Sequence, residues 1–230
     1  MESPGKIAER RLHPPLTDAS YLLLRARRII FENWVKQLPG GRLRVLDVGG
    51  RYQPYRPLLE GRVGQYVAVD LIRTELVGVV ADAEALPFAR ESFDVVIATQ
   101  VLEYLRDPVG AAQQIHGLLR PGGVFLASVA AFAPRFTGEE RWRFLPAGLR
   151  TMFAPYTKVD IVPELDSLCS MVRTVNLAMF TFVRYNFARR VHSVTSCPLL
   201  NLLGLGLGKM HLTANDQFAA NFSVRAIKAE

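Results

Sequence analysis

A succession of short apolar runs, separated by helical and turn segments, constrains this chain more than any other feature. The runs are residues 43–48 (LRVLDV), 65–70 (QYVAVD), 76–82 (LVGVVAD), 93–99 (FDVVIAT) and 124–130 (VFLASVA). Runs so short and so apolar read as strands buried on both faces, which a parallel sheet covered by helices provides. Ahead of them the spacing predicts a helix over about 18–38. Leu23, Ala26, Ile30, Trp34 and Leu38 recur at steps of three and four, Asp18 suits the N-cap, and PGG (39–41) stops it. A second helix, over about 108–119, ends in RPGG (120–123).

Beyond residue 131 the pattern changes. FLPAGLRTMF (144–153) reads as a short helix, KVDIVPE (158–164) as a strand and NFSVRAIK (221–228) as a closing strand. Between the last two, residues 166–191 predict one helix with Leu168, Val172, Val175, Met179 and Phe182 on one face. Phe180, Tyr185 and Phe187 lie off that face, so the helix is apolar around much of its circumference: it is buried, or its second face meets a partner. The expected fold is α/β, with an open, mainly parallel, seven-stranded sheet flanked by helices and a helical insertion before the last strand. The expected organisation is a single domain over 1–230. It comprises an N-terminal helical segment (1–42), a core (43–164), an insertion or lid (165–211) and a final strand region (212–230).

Half the residues are hydrophobic and 21% are charged, a globular composition. Cys169 and Cys197 form neither a disulfide framework nor a metal-ligand spacing, so no metal is expected and a reducing cytoplasm suits the chain. Residues 1–16 are polar, charged and proline-bearing, which predicts no signal peptide. The longest strongly apolar run, CPLLNLLGLGLG (197–208), is about half a membrane span, so no crossing is predicted. The formal charge is +7 and uneven, with Arg10, Arg11, Arg25, Arg27 and Arg28 near one end and Arg184, Arg189, Arg190 and Lys209 near the other. Such surfaces favour phosphates, nucleic acid or an anionic membrane face, or are simply solvated helix faces. No nucleic-acid motif accompanies the charge, which argues against DNA and RNA.

In an open parallel sheet, ligands bind beyond the carboxyl ends of the strands, where the topology switches. Those ends carry Asp47-Val48-Gly49, Asp70 and Asp82. A carboxylate after the second strand can accept both hydroxyls of an adenosine ribose, and one after the third can accept an adenine amino group. Both acids could instead merely cap their turns, and Asp47 could serve only to order its loop. Gly49 lets a ligand approach the backbone without a Cβ in the way. A dinucleotide loop needs Gly-x-Gly-x-x-Gly, and counting from Gly49 the other two positions hold Arg51 and Pro54. That argues against NAD and FAD.

With VLDVGG (45–50), PYRPLL (54–59), YVAVDL (66–71), ADAEALPFARESFDVVIATQVLEYLRDP (81–108), LLRPGGVFLASVA (118–130) and RWRFLPAGLR (141–150) in order, the chain resembles the class I S-adenosylmethionine-dependent methyltransferases. The likeness is to the small bacterial type of glycan and natural-product pathways, and covers roughly 43–164 plus a final strand. It implies a Rossmann-like sheet and S-adenosylmethionine as cofactor. Asp47, Gly49 and Gly50 would hold the methionine end, Asp70 the ribose and Leu71 the adenine face. Asp82 would accept from the adenine amino group beside the Ala83 amide, with Gln100 near the sulfonium. Arg51 stands where the family has glycine, and there binds the cofactor carboxylate or swings away. Tyr104 stands where histidine is common, and Arg135 and Glu140 replace a histidine and an aspartate.

The resemblance implies methyl transfer to a small-molecule, glycan or lipid-linked acceptor, on oxygen; the alternative is a cofactor-binding or partner protein without catalysis. A base for an oxygen nucleophile would come from Glu140, Glu139, Asp216, His211 or Tyr104. His116 is expected at the surface, His192 is a lesser substrate candidate, and Trp142-Arg143-Phe144 is expected to be a structural clasp. The insertion is expected to form the lid and acceptor pocket. Its mixture of aromatics and arginines fits either ordinary lid packing or contact with a membrane surface. The expected location is accordingly cytoplasmic, or peripheral at the inner face of a membrane.

Overall fold

The computed structural model describes residues 2–135, 137–210 and 215–230. Two helices, α1 (Pro4–Leu12) and α2 (Tyr21–Val35), lead into β1 (Leu43–Val48). There follow β2 (Val63–Asp70), β3 (Val79–Val80), β4 (Phe93–Thr99), α3 (Pro108–Leu118), β5 (Leu119–Ala130), α4 (Pro146–Met152) and β6 (Lys158–Pro163). The helices α5 (Ser167–Phe182), α6 (Asn186–Val194) and α7 (Ser196–Lys209) precede the last strand, β7 (Asn221–Ile227). The seven-stranded sheet has the order β3-β2-β1-β4-β5-β7-β6, with β7 antiparallel to both its neighbours. The order reverses between β1 and β4, so the crevice for a ligand opens there.

Alternation along the central strands divides the core in two. Leu46, Val96, Phe125 and Ala127 point to one face, among residues of α3 and α4. Val45, Val95, Ile97 and Leu126 point to the other, against Phe31, Trp34 and Tyr55. Both sets are essentially inaccessible, as a sheet covered on both sides requires.

Several expected elements differ. The third strand is only Val79–Val80, an edge pairing with Val69 and Asp70. RPGG does not precede β5 but lies inside it. Phe93 pairs with Leu119 and Val95 with Val124, so these residues bulge out of register, with Gly122 at φ 72°. The first predicted helix begins at Tyr21 because Asp18 caps a turn instead, accepting from the Ser20 amide at 2.8 Å.

The largest correction concerns 166–191. Asp166 caps the start of α5 as its residue type suggests, accepting from the Cys169 amide, but the helix stops at Phe182. The Arg189 guanidinium donates to the Val183 carbonyl at 2.7 Å, satisfying one group at the break. The apolar face read from the sequence points outward: Val175 is 53% and Phe182 82% exposed, whereas Ser170, Arg173 and Asn176 are buried. The helices are joined through polar groups. Asn176 donates to Asn201 and to the Cys197 carbonyl, and His192 stands 3.3 Å from the Asn176 carbonyl.

Asn201 also donates to the carbonyls of Leu16 (2.7 Å) and Asp18 (2.9 Å), which fixes α7 to the segment ahead of α2. Gly204 lets α7 approach α2, since a Cβ there would stand 2.4 Å from Leu22 Cδ1. Replacing Asn201 by alanine removes both of these hydrogen bonds and the one it accepts from Asn176, each worth roughly 0.5–1.5 kcal/mol. Urea unfolding of Asn201→Ala is expected to show a loss of about 2–4 kcal/mol.

Candidate cofactor and acceptor site

A cavity of about 780 Å³ opens over the carboxyl ends of β1, β2 and β4. This is within the usual size of small-molecule sites. Its floor begins at Gly49, where φ is 73° and a Cβ would stand 2.3 Å from a Val101 methyl, so only glycine fits. Past it the loop takes a course the glycine count did not suggest. Gln53 itself adopts the left-handed region (φ 52°), buried, with its amide donating to the Leu76 carbonyl and accepting from Arg56. A side chain bracing the loop does here what small residues do elsewhere. Arg51 lines the cavity with its guanidinium 5.1 Å above the Tyr52 ring.

Asp70 and Asp82 both line the cavity. Each spends Oδ1 on its own turn, accepting from the amides of Ile72 and Glu84 at 2.9 Å. The second oxygen of each is left for a ligand. Capping and binding are therefore compatible at these positions. Leu71 and Ala83 line the cavity beside them, and Leu71 is 69% exposed, an apolar surface a flat ring would cover. Gln100 holds a left-handed backbone (φ 56°) at the end of β4, and its amide donates to the carbonyl and hydroxyl of Ser128.

Asp47 and Gly50 do not line the cavity. Asp47 is buried under the loop and accepts from the Tyr66 hydroxyl at 2.7 Å; Gly50 is packed against it. Burial pushes the Asp47 carboxyl up to about 7, the Tyr66 hydrogen bond opposing and the Asp70 charge adding. It therefore lies beneath the loop, not on the cavity wall.

The candidate bases separate clearly. Tyr104 lines the cavity, but burial and then the Glu140 charge raise its phenol above the usual range, which keeps it protonated. Glu140 lies outside the lining and is paired with Arg143. Asp216 is exposed and also outside it. His211 lies outside the described residues. Glu139 does line the cavity. His192 is enclosed between Ser196 and Asn176, away from the site. His116 is half-buried, edge-on to Tyr156. The Trp142-Arg143-Phe144 segment is a clasp: Trp142 Nε1 donates to the Leu105 carbonyl and the Phe144 amide to that of Ala130. Among the described residues no group of acids, histidines and cysteines could hold a metal.

Sequence reasoning missed the basic part of the lining. Arg10, Arg11, Asp18 and Arg27, all from the N-terminal segment, line the cavity with Arg173 of α5. Arg11 sits 4.7 Å over the Tyr52 ring. Arg27 is buried and bidentate to Glu164, at 2.8 and 3.0 Å. Arg173 is buried too, yet its Nε and Nη1 find no partner among the described residues. Burial, then the neighbouring Arg27 charge, lowers it to about 10. The excess of arginine near residue 10 was the available signal; nothing in a helical pattern marks an inward arginine.

Residues 46–127 match the family model described as a methyltransferase domain. The chain has the class I methyltransferase fold. The chain is 33% identical over 95 residues to human Arginine-hydroxylase NDUFAF5, mitochondrial, a stretch covering 36% of the chain and 28% of that protein. It is 34% identical over 112 residues to an uncharacterized methyltransferase of Mycobacterium sp. (strain KMS), 44% of each chain. The match therefore spans less than half the length of either relative. Among solved structures, an S-adenosylmethionine dependent methyltransferase from Mesorhizobium loti superposes with a TM-score of 0.54 at 16% identity, over 90% of the chain and all of that protein. The family match implies S-adenosylmethionine as cofactor. The residues fit it: a glycine floor, two strand-end acids with a spare oxygen each, and an apolar surface between them.

Beneath the site, Glu103 is buried with Oε1 accepting from the Ala130 amide and Oε2 without a partner among the described residues. Burial pushes it up to about 7, although backbone hydrogen bonds oppose the rise. The folded state thus holds its proton more tightly than the unfolded chain, and stability falls as pH rises from about 4.5 to about 7. Glu103→Gln lacks that proton. Thermal unfolding is expected to shift in the variant's favour across that window, by on the order of 3 kcal/mol.

Proposed function

We propose that this protein transfers a methyl group from S-adenosylmethionine to an oxygen of a small-molecule, glycan or lipid-linked acceptor that carries an anionic group. The observation that supports it best is that one cavity carries two chemistries, the carboxylates of Asp70 and Asp82 and the guanidiniums of Arg11 and Arg173. The carboxylates suit the hydroxyls and amino group of an adenosine. The guanidiniums suit a carboxylate or phosphate. S-adenosylmethionine, when bound, supplies an activated methyl group on a sulfonium.

The protein's own contribution is placement. Gly49 and Gln100 border the reacting end, and the Gln53 brace keeps that floor rigid. Glu139 is the base on this reading, because it alone of the sequence-derived base candidates is a carboxylate at the cavity wall. Arg51 meets the cofactor carboxylate, and Arg173 meets the acceptor's anionic group. A second reading, a cofactor-binding protein without methyl transfer, draws support from the relative named as an arginine hydroxylase.

Calorimetric titration with S-adenosylhomocysteine is expected to give micromolar binding that Asp70→Ala loses. Arg51→Gln should weaken that ligand while leaving 5′-methylthioadenosine, which lacks the amino-acid end, unaffected. Tritiated methyl from the cofactor should appear in the lipid or glycan fraction of a bacterial extract. Binding without any transfer would favour the second reading.

Arg173 carries a further prediction. An unpaired buried guanidinium costs stability until a ligand neutralises it. The ligand-free Arg173→Met variant should be more stable by about 1–3 kcal/mol in urea and should lose methyl transfer.

A further inference from the structure

We propose that the outward surface of α5, α6 and α7 seats the protein on an anionic lipid bilayer, with the helices lying in the interface. The three helices are turned inside out. Towards the protein they present Ser170, Arg173, Asn176, His192 and Asn201, all buried. Away from it they present Phe182, Phe187, Val194, Leu199, Leu202 and Leu203, each at least 50% exposed. The outward residues follow helical spacing, Phe187 and Val194 on α6 and Leu199, Leu202 and Leu203 on α7, so each helix has an apolar stripe facing away from its neighbours. A surface helix in water has the opposite arrangement. The arrangement is stable where the outer solvent is apolar.

Charge selects the occupant. Between Ser167 and Met210 the chain carries Arg173, Arg184, Arg189, Arg190 and Lys209 and no aspartate or glutamate. Arg184, Arg189 and Arg190 are exposed among Phe182, Tyr185 and Phe187. Basic residues interleaved with exposed aromatics match the boundary of an anionic membrane, where headgroups meet acyl chains. A second copy of the chain would set these cations against one another.

The helices lie on the bilayer and do not cross it. Within Asn186–Lys209 an 18-residue window reaches a mean hydropathy of 1.2, with 22% of that window buried, so by composition it could span. The backbone at Thr195 (φ −115°, ψ −83°) divides this stretch into helices of 9 and 14 residues. The longer is about 21 Å, short of the roughly 30 Å hydrocarbon core. His192 and Asn201 also tie both helices inward. The proposal does not depend on methyl transfer, though it would set the Arg173 side of the cavity directly beneath a lipid-facing roof.

Flotation with the full chain tests it, using phosphatidylcholine vesicles with and without phosphatidylglycerol. The protein should float with the anionic vesicles, less so as salt rises and little with phosphatidylcholine alone. Phe187→Glu/Leu199→Glu should abolish flotation, and Arg189→Gln/Arg190→Gln should weaken it on the order of tenfold or more. Both variants should bind S-adenosylhomocysteine like the natural protein, which separates loss of docking from loss of folding or of the cofactor site. No flotation with anionic vesicles at low salt overturns the proposal. So does flotation that survives the glutamate pair. Dimerisation by light scattering that the glutamate pair removes, without vesicle binding, would assign the face to a second copy instead.

Discussion

The buried pair between Arg27 and Glu164 is the contact on which the arrangement of the site depends. Arg27 belongs to α2, Glu164 follows β6, and 137 residues separate them. The carboxylate also accepts from the hydroxyls of Ser128 on β5 and Ser223 on β7, so one buried group joins a helix to three adjacent strands. Burial alone would disfavour the Arg27 charge, and the ion pair more than offsets it. Removing either partner would leave the other's buried charge unpaired. The pair holds α2 against the strand ends, and Arg173, whose Nε and Nη1 find no partner among the described residues, lies beside it.

The sheet was legible in the sequence because its strands are simple. A strand buried on both faces needs only to be short and apolar, and residues 43–48, 93–99 and 124–130 are both. The edge strand β3 was harder: LVGVVAD has the composition of a strand, but only Val79 and Val80 find a partner. The α5–α7 insertion was harder for a different reason. Assigning an apolar helix face to the interior assumes that water lies outside, and α5 buries Ser170, Arg173 and Asn176 instead. The pattern was present and its sign was reversed.

The acidic half of the site was legible for a comparable reason. Asp70 and Asp82 end their strands, and strand ends at a topological switch point are where ligands lie. Asp47 satisfied the same description yet faces down into the loop, because sequence position says which end of a strand a residue occupies and not which way it points. The basic half is built from α1, α2 and α5, elements far apart in sequence whose meeting no local pattern encodes. Gln53 shows the same limit on a small scale: its role rests on reaching Leu76, a partner 23 residues away.

The hydrogen bonds from Asn201 to the carbonyls of Leu16 and Asp18 carry a mechanical consequence. They fasten the segment before α2 to the lid, so these two walls swing together or not at all. A ligand leaving between them would have to break buried polar contacts on both. The segment ahead of α2 and the helices α5 and α7 behind it therefore behave as a single wall of the cavity.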